Sequence, residues 1–162
     1  MAFVAILMGS DSDLPVMQAS IDILKTFKIE YEVRITSAHR TPEDTRAYVT
    51  DADSRGCAVF IAAAGMAAHL AGAVAAHTLK PVVGVPVDAG PLQGFDALLS
   101  TVQMPGGIPV ASVAIGKAGA RNAAYLAAQI MGVQDQALHK ALIEERAANA
   151  EAIRQKNNDL DV

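Results

Sequence analysis

The sequence has 162 residues, the length of one domain, which excludes a second full-sized domain. Apolar residues make up 52% and charged residues 19%, which excludes intrinsic disorder, and a net charge of −4 argues against a nucleic-acid partner. The single cysteine, Cys57, can form neither an internal disulfide nor a zinc site, so we expect a protein of the reducing cytosol.

The chain opens with the pattern of a buried strand followed by an amphipathic helix. Phe3–Met8 is a continuous apolar run, as expected of a strand that is buried on both faces. Apolar residues then recur at steps of three and four over Leu14–Leu24, which predicts a helix with one apolar stripe. Ser12 or Asp13 is the expected cap of this helix, and Pro15 lies in its first turn.

The same signals predict four further strands, each followed by a helix, and one last helix. The predicted strands are Tyr31–Thr36, Cys57–Ala64, Val82–Val87 and Pro109–Ile115. The helices after them are predicted from Pro42 (capped by Thr41) to about Ser54, from about Met66 to Thr78, from Gly94 or Phe95 to Gln103, and from about Lys117 to Met131. A final amphipathic helix is predicted from about Gln134 to Gln155.

Regular alternation of strands and helices predicts a three-layer α/β/α fold around one five-stranded parallel sheet. The flavodoxin-like strand order 2-1-3-4-5 is the expected topology. We expect a single domain over residues 1–162, with its core at about 3–131 and a C-terminal helix at about 134–155. Because no strand follows that helix in so apolar a chain, we expect it to pack on a neighbouring subunit.

Two apolar stretches resemble an export signal or a membrane span. The apolar N-terminus lacks a basic region and breaks at Gly9–Asp13, so we do not expect a secretory signal. Cys57–Leu79 is long enough to span a bilayer, but it consists mostly of alanine and glycine, which supply little transfer free energy. We therefore expect no membrane association.

Three loops carry most of the unusual polar residues and should meet in one cleft. In the order 2-1-3-4-5 the first three strands are neighbours, and ligands bind at the carboxyl ends of such strands. The loops at those ends are Gly9–Asp13, Ser37–Arg40 and Ala64–His69. They should bring together two histidines, one arginine, two aspartates and three serines.

The residue types in these loops are those of a phosphorylated-sugar site with a proton carrier. Arg40 beside a helix N-terminus suits a phosphomonoester, and Asp13 suits ribose hydroxyls. His39 can take and give a proton near neutral pH. Structural alternatives remain open: the serines can be helix caps, Arg40 a solvated charge, and His69 a packed core histidine. No His, Cys or acidic cluster has the spacing of metal ligands.

Six sequence blocks, in order and correctly spaced over about residues 3–131, resemble the PurE family of N5-carboxyaminoimidazole ribonucleotide mutases. These blocks are Gly9–Asp13, Ser37–Pro42, Ala67–Leu70, Gly84–Pro86, Gln103–Pro105 and Gly116–Gly119. The resemblance implies a flavodoxin-like subunit in a homo-octamer, with the C-terminal helix on neighbouring subunits. It also implies a phosphorylated ribonucleotide substrate, and neither a metal nor an organic cofactor.

The resemblance also assigns roles to residues of the three loops. Ser10, Asp13 and Arg40 match the substrate-binding trio, and His39 matches the catalytic acid/base, with His69 as the second candidate catalytic residue. The other matching positions, all expected to bind substrate, are Ser12, Ser37, Ala38, Gly65 and Leu70. The implied reaction of purine biosynthesis moves a carboxyl group from an exocyclic nitrogen to C4 of an imidazole through trapped CO2.

The third loop departs from the family pattern, since Ala63, Met66 and Ala71 stand where Gly, Gly and Pro are usual. If the Met66 position requires a positive φ, methionine is costly there and the CO2 pocket changes shape. The alternatives are a carboxylase that adds CO2 directly to the aminoimidazole ribonucleotide, and a non-catalytic nucleotide-binding module. Arg40 favours the mutase, because the carboxylase branch usually has Lys there, and a mere binding module has no use for His39.

Overall fold

A computed structural model describes residues 2–160, and the two ends of the expected 1–162 domain lie outside this described range. Its strands are β1 (Phe3–Met8), β2 (Tyr31–Ile35), β3 (Cys57–Gly65), β4 (Val82–Val87) and β5 (Ala111–Ser112). Its α-helices are α1 (Leu14–Thr26), α2 (Pro42–Ser54), α3 (Leu70–Ala75), α4 (Phe95–Val102), α5 (Gly116–Gly132) and α6 (Gln136–Asn158).

The strands form one parallel sheet in the order β2-β1-β3-β4-β5, which confirms the predicted topology. In the centre of the sheet Ile6 of β1 lies between Val33 of β2 and Ile61 of β3. Every residue of β1 and β4 is buried, because helices cover both faces of the sheet.

Alternate side chains of the central strands enter two separate cores. Val59 and Ile61 of β3 pack on the face covered by α1 and α5, whereas Phe60 packs on the face covered by α2 and α3. Buried alanines of α5 let that helix lie close to the sheet and to α1. The sheet is therefore rigid where its strands end, and the loops that follow start from fixed positions.

Two predicted elements are shorter in the structure than in the sequence analysis. The strand predicted at Pro109–Ile115 is reduced to Ala111–Ser112, since the segment lies at the sheet edge and pairs only with β4. The helix predicted at about 66–78 is confined to Leu70–Ala75, because Met66 has a φ of +56° and residues 66–69 form a turn. His69 consequently occupies the N-cap of α3 instead of its first turn.

The C-terminal helix α6 packs on α5 but buries little of itself. Leu138 is its only buried residue, and the apolar side chains of Ile143 and Ile153 are exposed. Asp135 caps its start by accepting a hydrogen bond from the backbone N–H of Leu138. Between residues 2 and 160 no helix combines the length and the apolar character needed to cross a membrane.

Candidate active site

The three loops at the carboxyl ends of β1, β2 and β3 enclose one cleft of about 230 Å³. All ten residues singled out from the sequence line it: Ser10, Ser12, Asp13, Ser37, Ala38, His39, Arg40, Gly65, His69 and Leu70. Five further residues, to which the sequence analysis assigned no catalytic or binding role, also line it: Gly9, Ala64, Met66, Ala67 and Ala89. The predicted convergence is confirmed, whereas the role of each residue stays a proposal.

A capping box stabilises the first loop, Gly9–Asp13, so the polar groups of this loop also have a structural role. The Ser10 hydroxyl oxygen accepts hydrogen bonds from the backbone N–H (3.2 Å) and the hydroxyl (2.9 Å) of Ser12. The Asp13 carboxylate in turn accepts the backbone N–H of Ser10 at 3.2 Å. Asp13 occupies the N-cap position of α1, as one of the two predicted candidates, but its side chain makes no cap hydrogen bond to that helix. Ser10 instead caps a short 3-10 turn that precedes α1.

Asp13 is a buried acid, only 6% exposed. Desolvation raises the pKa of its carboxyl above the ordinary 3.8, and the hydrogen bonds from the backbones of Ser10 and Gly9 oppose that rise. The folded protein thus holds this proton more tightly than the unfolded chain does. The extra stability is complete below pH 3.8 and is lost as the pH rises through the folded pKa.

Replacing Asp13 with Asn should therefore leave the protein at least as stable as the parent at pH 7. The amide oxygen of Asn can still accept the Ser10 N–H, and no charge has to be desolvated. Urea unfolding at several pH values between 3 and 7 measures the effect. The neighbouring exposed acid gives the control, Asp11→Asn. A variant that is much less stable at pH 7 would show that the charge itself holds the loop.

A chain of hydroxyl groups fixes the second loop. Thr36 and Thr45, both buried, share a hydrogen bond of 2.6 Å, and the Thr45 hydroxyl donates to the backbone carbonyl of Thr41. Thr41 is the N-cap residue of α2, as predicted, but its hydroxyl makes no cap bond to the helix and instead accepts the backbone N–H of Ser37 at 3.0 Å. The Ser37 hydroxyl accepts the backbone N–H of Arg40 at 3.1 Å. The turn that carries the histidine and the arginine is therefore anchored at both ends.

The two histidines of the cleft touch each other. Nε2 of His39 lies 3.3 Å from Nδ1 of His69, and the ring centroids are 5.3 Å apart. A hydrogen bond at this distance needs a hydrogen on one of the two nitrogens and a lone pair on the other. Each imidazole keeps its second nitrogen for another partner. The pair can therefore pass a proton from ring to ring while one ring faces a ligand.

Arg40 supplies the positive charge of the cleft. Within residues 2–160 its guanidinium forms no ion pair with a carboxylate, and the side chain is exposed. It directly precedes Thr41, the N-cap of α2, so the guanidinium belongs to the residue next to a helix N-terminus. This arrangement suits a phosphate monoester, which a guanidinium can bind through two parallel hydrogen bonds.

The third loop is crowded against the end of β4. A Cβ atom added to Gly65 would lie 2.8 Å from the Cβ of Ala89, so only glycine fits there. The next residue, Met66, has the left-handed φ of +56°, a conformation that costs a residue with a side chain about 1–2 kcal/mol. The positive φ considered in the sequence analysis is therefore present. Ala64, Ala67 and Ala89 form an apolar wall beside the two histidines.

The cleft of one chain is open to solvent. The side chains of His39, His69 and Met66 are all exposed, although they line it. The pocket that would trap CO2 is therefore not closed in the single chain. Among the described residues no three His, Cys, Asp or Glu side chains lie close enough together to hold a metal ion.

A larger groove of about 640 Å³ lies elsewhere, between α5 and α6. Tyr125, Leu142 and Ile143 contribute much of its lining, and it contains none of the residues that the sequence analysis singled out for chemistry. Its size reflects the loose packing of α6 on α5. The smaller cleft, which joins histidines to an arginine, is the candidate active site.

Comparison with known proteins gives one consistent result. The sequence profile of the family described as AIR carboxylase matches residues 3–152. Two curated relatives are called N5-carboxyaminoimidazole ribonucleotide mutase. The protein from Pseudomonas aeruginosa is 50% identical to this chain, over 94% of this chain and 93% of the relative. The protein from Escherichia coli is 49% identical, over 94% of this chain and 90% of the relative. The crystal structure of Treponema denticola PurE superposes with a TM-score of 0.90 at 31% identity, over 100% of both chains.

Proposed function

Because this chain belongs to the AIR carboxylase family, we propose that it is an N5-carboxyaminoimidazole ribonucleotide mutase, an isomerase of purine biosynthesis. The observation that carries the proposal is the contact between His39 and His69 in the same cleft as the unpaired Arg40 cation. A binding site alone needs the cation, whereas the histidine pair gives the cleft a means to move protons.

The polar side of the cleft suits the ribose phosphate of the substrate. The guanidinium of Arg40, which lines the cleft, would bind the phosphate. Hydroxyl groups of Ser10, Ser12 and Ser37 belong to residues that line the same cleft and can bond to phosphate or sugar oxygens. The carboxylate of Asp13 would accept hydrogen bonds from ribose hydroxyls.

The opposite side of the cleft suits the aminoimidazole ring and its carboxyl group. Ala38, Gly65 and the almost fully buried Leu70 line the cleft together with the histidine pair and are small or apolar. With the phosphate bound at Arg40, the ring would lie against His39 and the alanine wall. Binding of the distant phosphate would thus hold the reacting atoms beside the proton carrier.

The reaction proceeds in two steps and needs no net proton. First, the bond between the exocyclic nitrogen and the carboxyl carbon breaks, its electron pair stays on nitrogen, and protonated His39 donates a proton to that nitrogen. Neutral CO2 is released. C4, which is electron-rich because it is conjugated with the new amino group, then attacks the CO2 carbon. Neutral His39 removes the C4 proton, which restores the aromatic ring and the starting state of the enzyme.

His69 would act through His39. Its Nδ1 shares a hydrogen bond with Nε2 of His39, so it can fix the orientation and the tautomer of the His39 ring. The first step needs His39 protonated and the second needs it neutral. Donation of the proton in the first step itself leaves His39 neutral, so the two steps need no proton from bulk water.

The test supplies the purified protein with the N5-carbamate, and separately with aminoimidazole ribonucleotide and excess bicarbonate. Formation of the C4 carboxylate is followed by absorbance in both assays. Efficient conversion of the carbamate supports the mutase. Efficient conversion only of the second mixture would indicate a direct carboxylase, and conversion of neither would leave a nucleotide-binding module.

The same family suggests an oligomer, and we propose a homo-octamer in which α6 packs on neighbouring subunits. The support from this chain is the exposed apolar surface of α6 and of α4, where Phe95 and Leu99 are 65% and 61% exposed. Sedimentation velocity measures the assembly, and a monomer at micromolar concentration would contradict it. We also propose a cytosolic location, since Cys57 is a buried free thiol.

A further inference from the structure

Met66 is held in a strained conformation at the edge of the candidate active site. Its φ of +56° is one that glycine adopts without cost, yet the position carries a long side chain. That side chain lies over Gly90, where an added Cβ would come within 3.3 Å of the Met66 Cγ and 3.6 Å of its sulfur. The absence of a side chain at Gly90 thus leaves the space that the thioether occupies. Strain kept next to a reactive cleft points to a function for the side chain.

The apolar wall of the cleft offers little else that could cover it. Apart from Met66 and His69, the residues that line the cleft at the ends of β3 and β4 are small or buried: Ala64, Gly65, Ala67, Ala89 and Leu70, which is only 2% exposed because it belongs to the core. Met66 is 55% exposed and lines the cleft. Met66 is therefore the long apolar side chain of this wall that presents surface to the cleft, and a thioether chain is flexible enough to adapt to a bound molecule.

We propose that Met66 retains CO2 in the cleft between the two steps of the reaction. The inference rests on the proposed function, because CO2 is an intermediate only of that reaction. Neutral CO2 has no charge that Arg40 could hold, so only exclusion of an exit path keeps it beside C4. The ribonucleotide fills the polar side, and the thioether of Met66 covers the alanine side. Met66 thereby sets the ratio of recarboxylation to escape and acts as a specificity-determining residue.

The test replaces Met66 with Gly and, as a matched control, with Leu. Each protein converts the unlabelled N5-carbamate in a buffer of labelled bicarbonate, with carbonic anhydrase present to equilibrate CO2. The escape ratio is measured per molecule of carbamate consumed, both as free aminoimidazole ribonucleotide and as label in the product. For Met66→Gly we expect this escape ratio to rise about 4- to 15-fold, which corresponds to losing the apolar contact of one or two methylene groups. Met66→Leu should return it most of the way to the parent value.

A loss of folding in Met66→Gly cannot account for a raised escape ratio. Glycine accepts the left-handed conformation, so Met66→Gly should unfold at a temperature about 2–4 °C above the parent. An escape ratio in Met66→Gly equal to that of the parent would overturn the proposal while leaving the mutase activity in place. A raised ratio that Leu does not lower would also overturn it, because retention would then not depend on an apolar side chain. If the parent itself fails to convert the carbamate, the proposed function and this inference both fall.

Discussion

Replacement of His39 with Asn should lower kcat by about 100- to 10,000-fold and change KM much less, since a positioned acid/base group contributes about that factor to the rate. Asparagine keeps a polar side chain of similar reach, but it cannot carry a proton between the exocyclic nitrogen and C4. His69 cannot fully replace it, because its Nδ1 is directed at the ring that has been removed. Bound substrate should accumulate without turnover.

The control for this variant is His77→Asn, at an exposed position in the turn after α3. It should keep full activity. The kcat of His69→Asn should lie between those of His39→Asn and His77→Asn. Its pH dependence should also change, since the substitution alters the hydrogen-bond partner of His39. Unimpaired turnover in His39→Asn would refute the acid/base role and favour a cleft that only binds nucleotide.

The fold was predictable from sequence wherever a segment's burial depends on its own residues. The bounds of β1 and β4 were predicted correctly because an unbroken apolar run suits only a strand covered on both faces. Pro109–Ile115 is nearly as apolar, yet it yields a strand of two residues. Its extent depends on how far β4 can pair with it at the edge of the sheet, and a single segment does not contain that information.

The position of the site was predictable because parallel strands end at one edge of the sheet. That argument brings Ser10, His39 and Gly65 together without any knowledge of side chains. It does not give contacts, so the hydrogen bond between the two histidines and the capping role of Ser10 appear only in the structure. Ala89 was missed for a simpler reason: β4 also borders β3, and its following loop belongs to the same edge.

Arg40→Ala should raise KM for the nucleotide on the order of 100-fold, since two charge-assisted hydrogen bonds to phosphate, each at the lower limit for a partly exposed site, are lost together. Arg40→Lys should recover only part of this, because an ammonium group keeps the charge but not the paired geometry. In both variants kcat should change less than KM, as the phosphate lies away from the reacting atoms.

A substrate without its phosphate separates binding of that group from any general effect on the cleft. With the dephosphorylated nucleoside carbamate, the parent and Arg40→Ala should show the same low kcat/KM, so that the penalty of the substitution disappears. Arg46 of α2, which pairs with Glu43 on the surface, gives the matched control: Arg46→Ala should behave as the parent with both substrates. Should Arg40→Ala weaken turnover of the nucleoside as strongly as that of the nucleotide, the guanidinium must act on the ring or the carboxyl group, and the phosphate must bind elsewhere. The polar and apolar sides of the cleft would then have to be exchanged in the proposed binding mode.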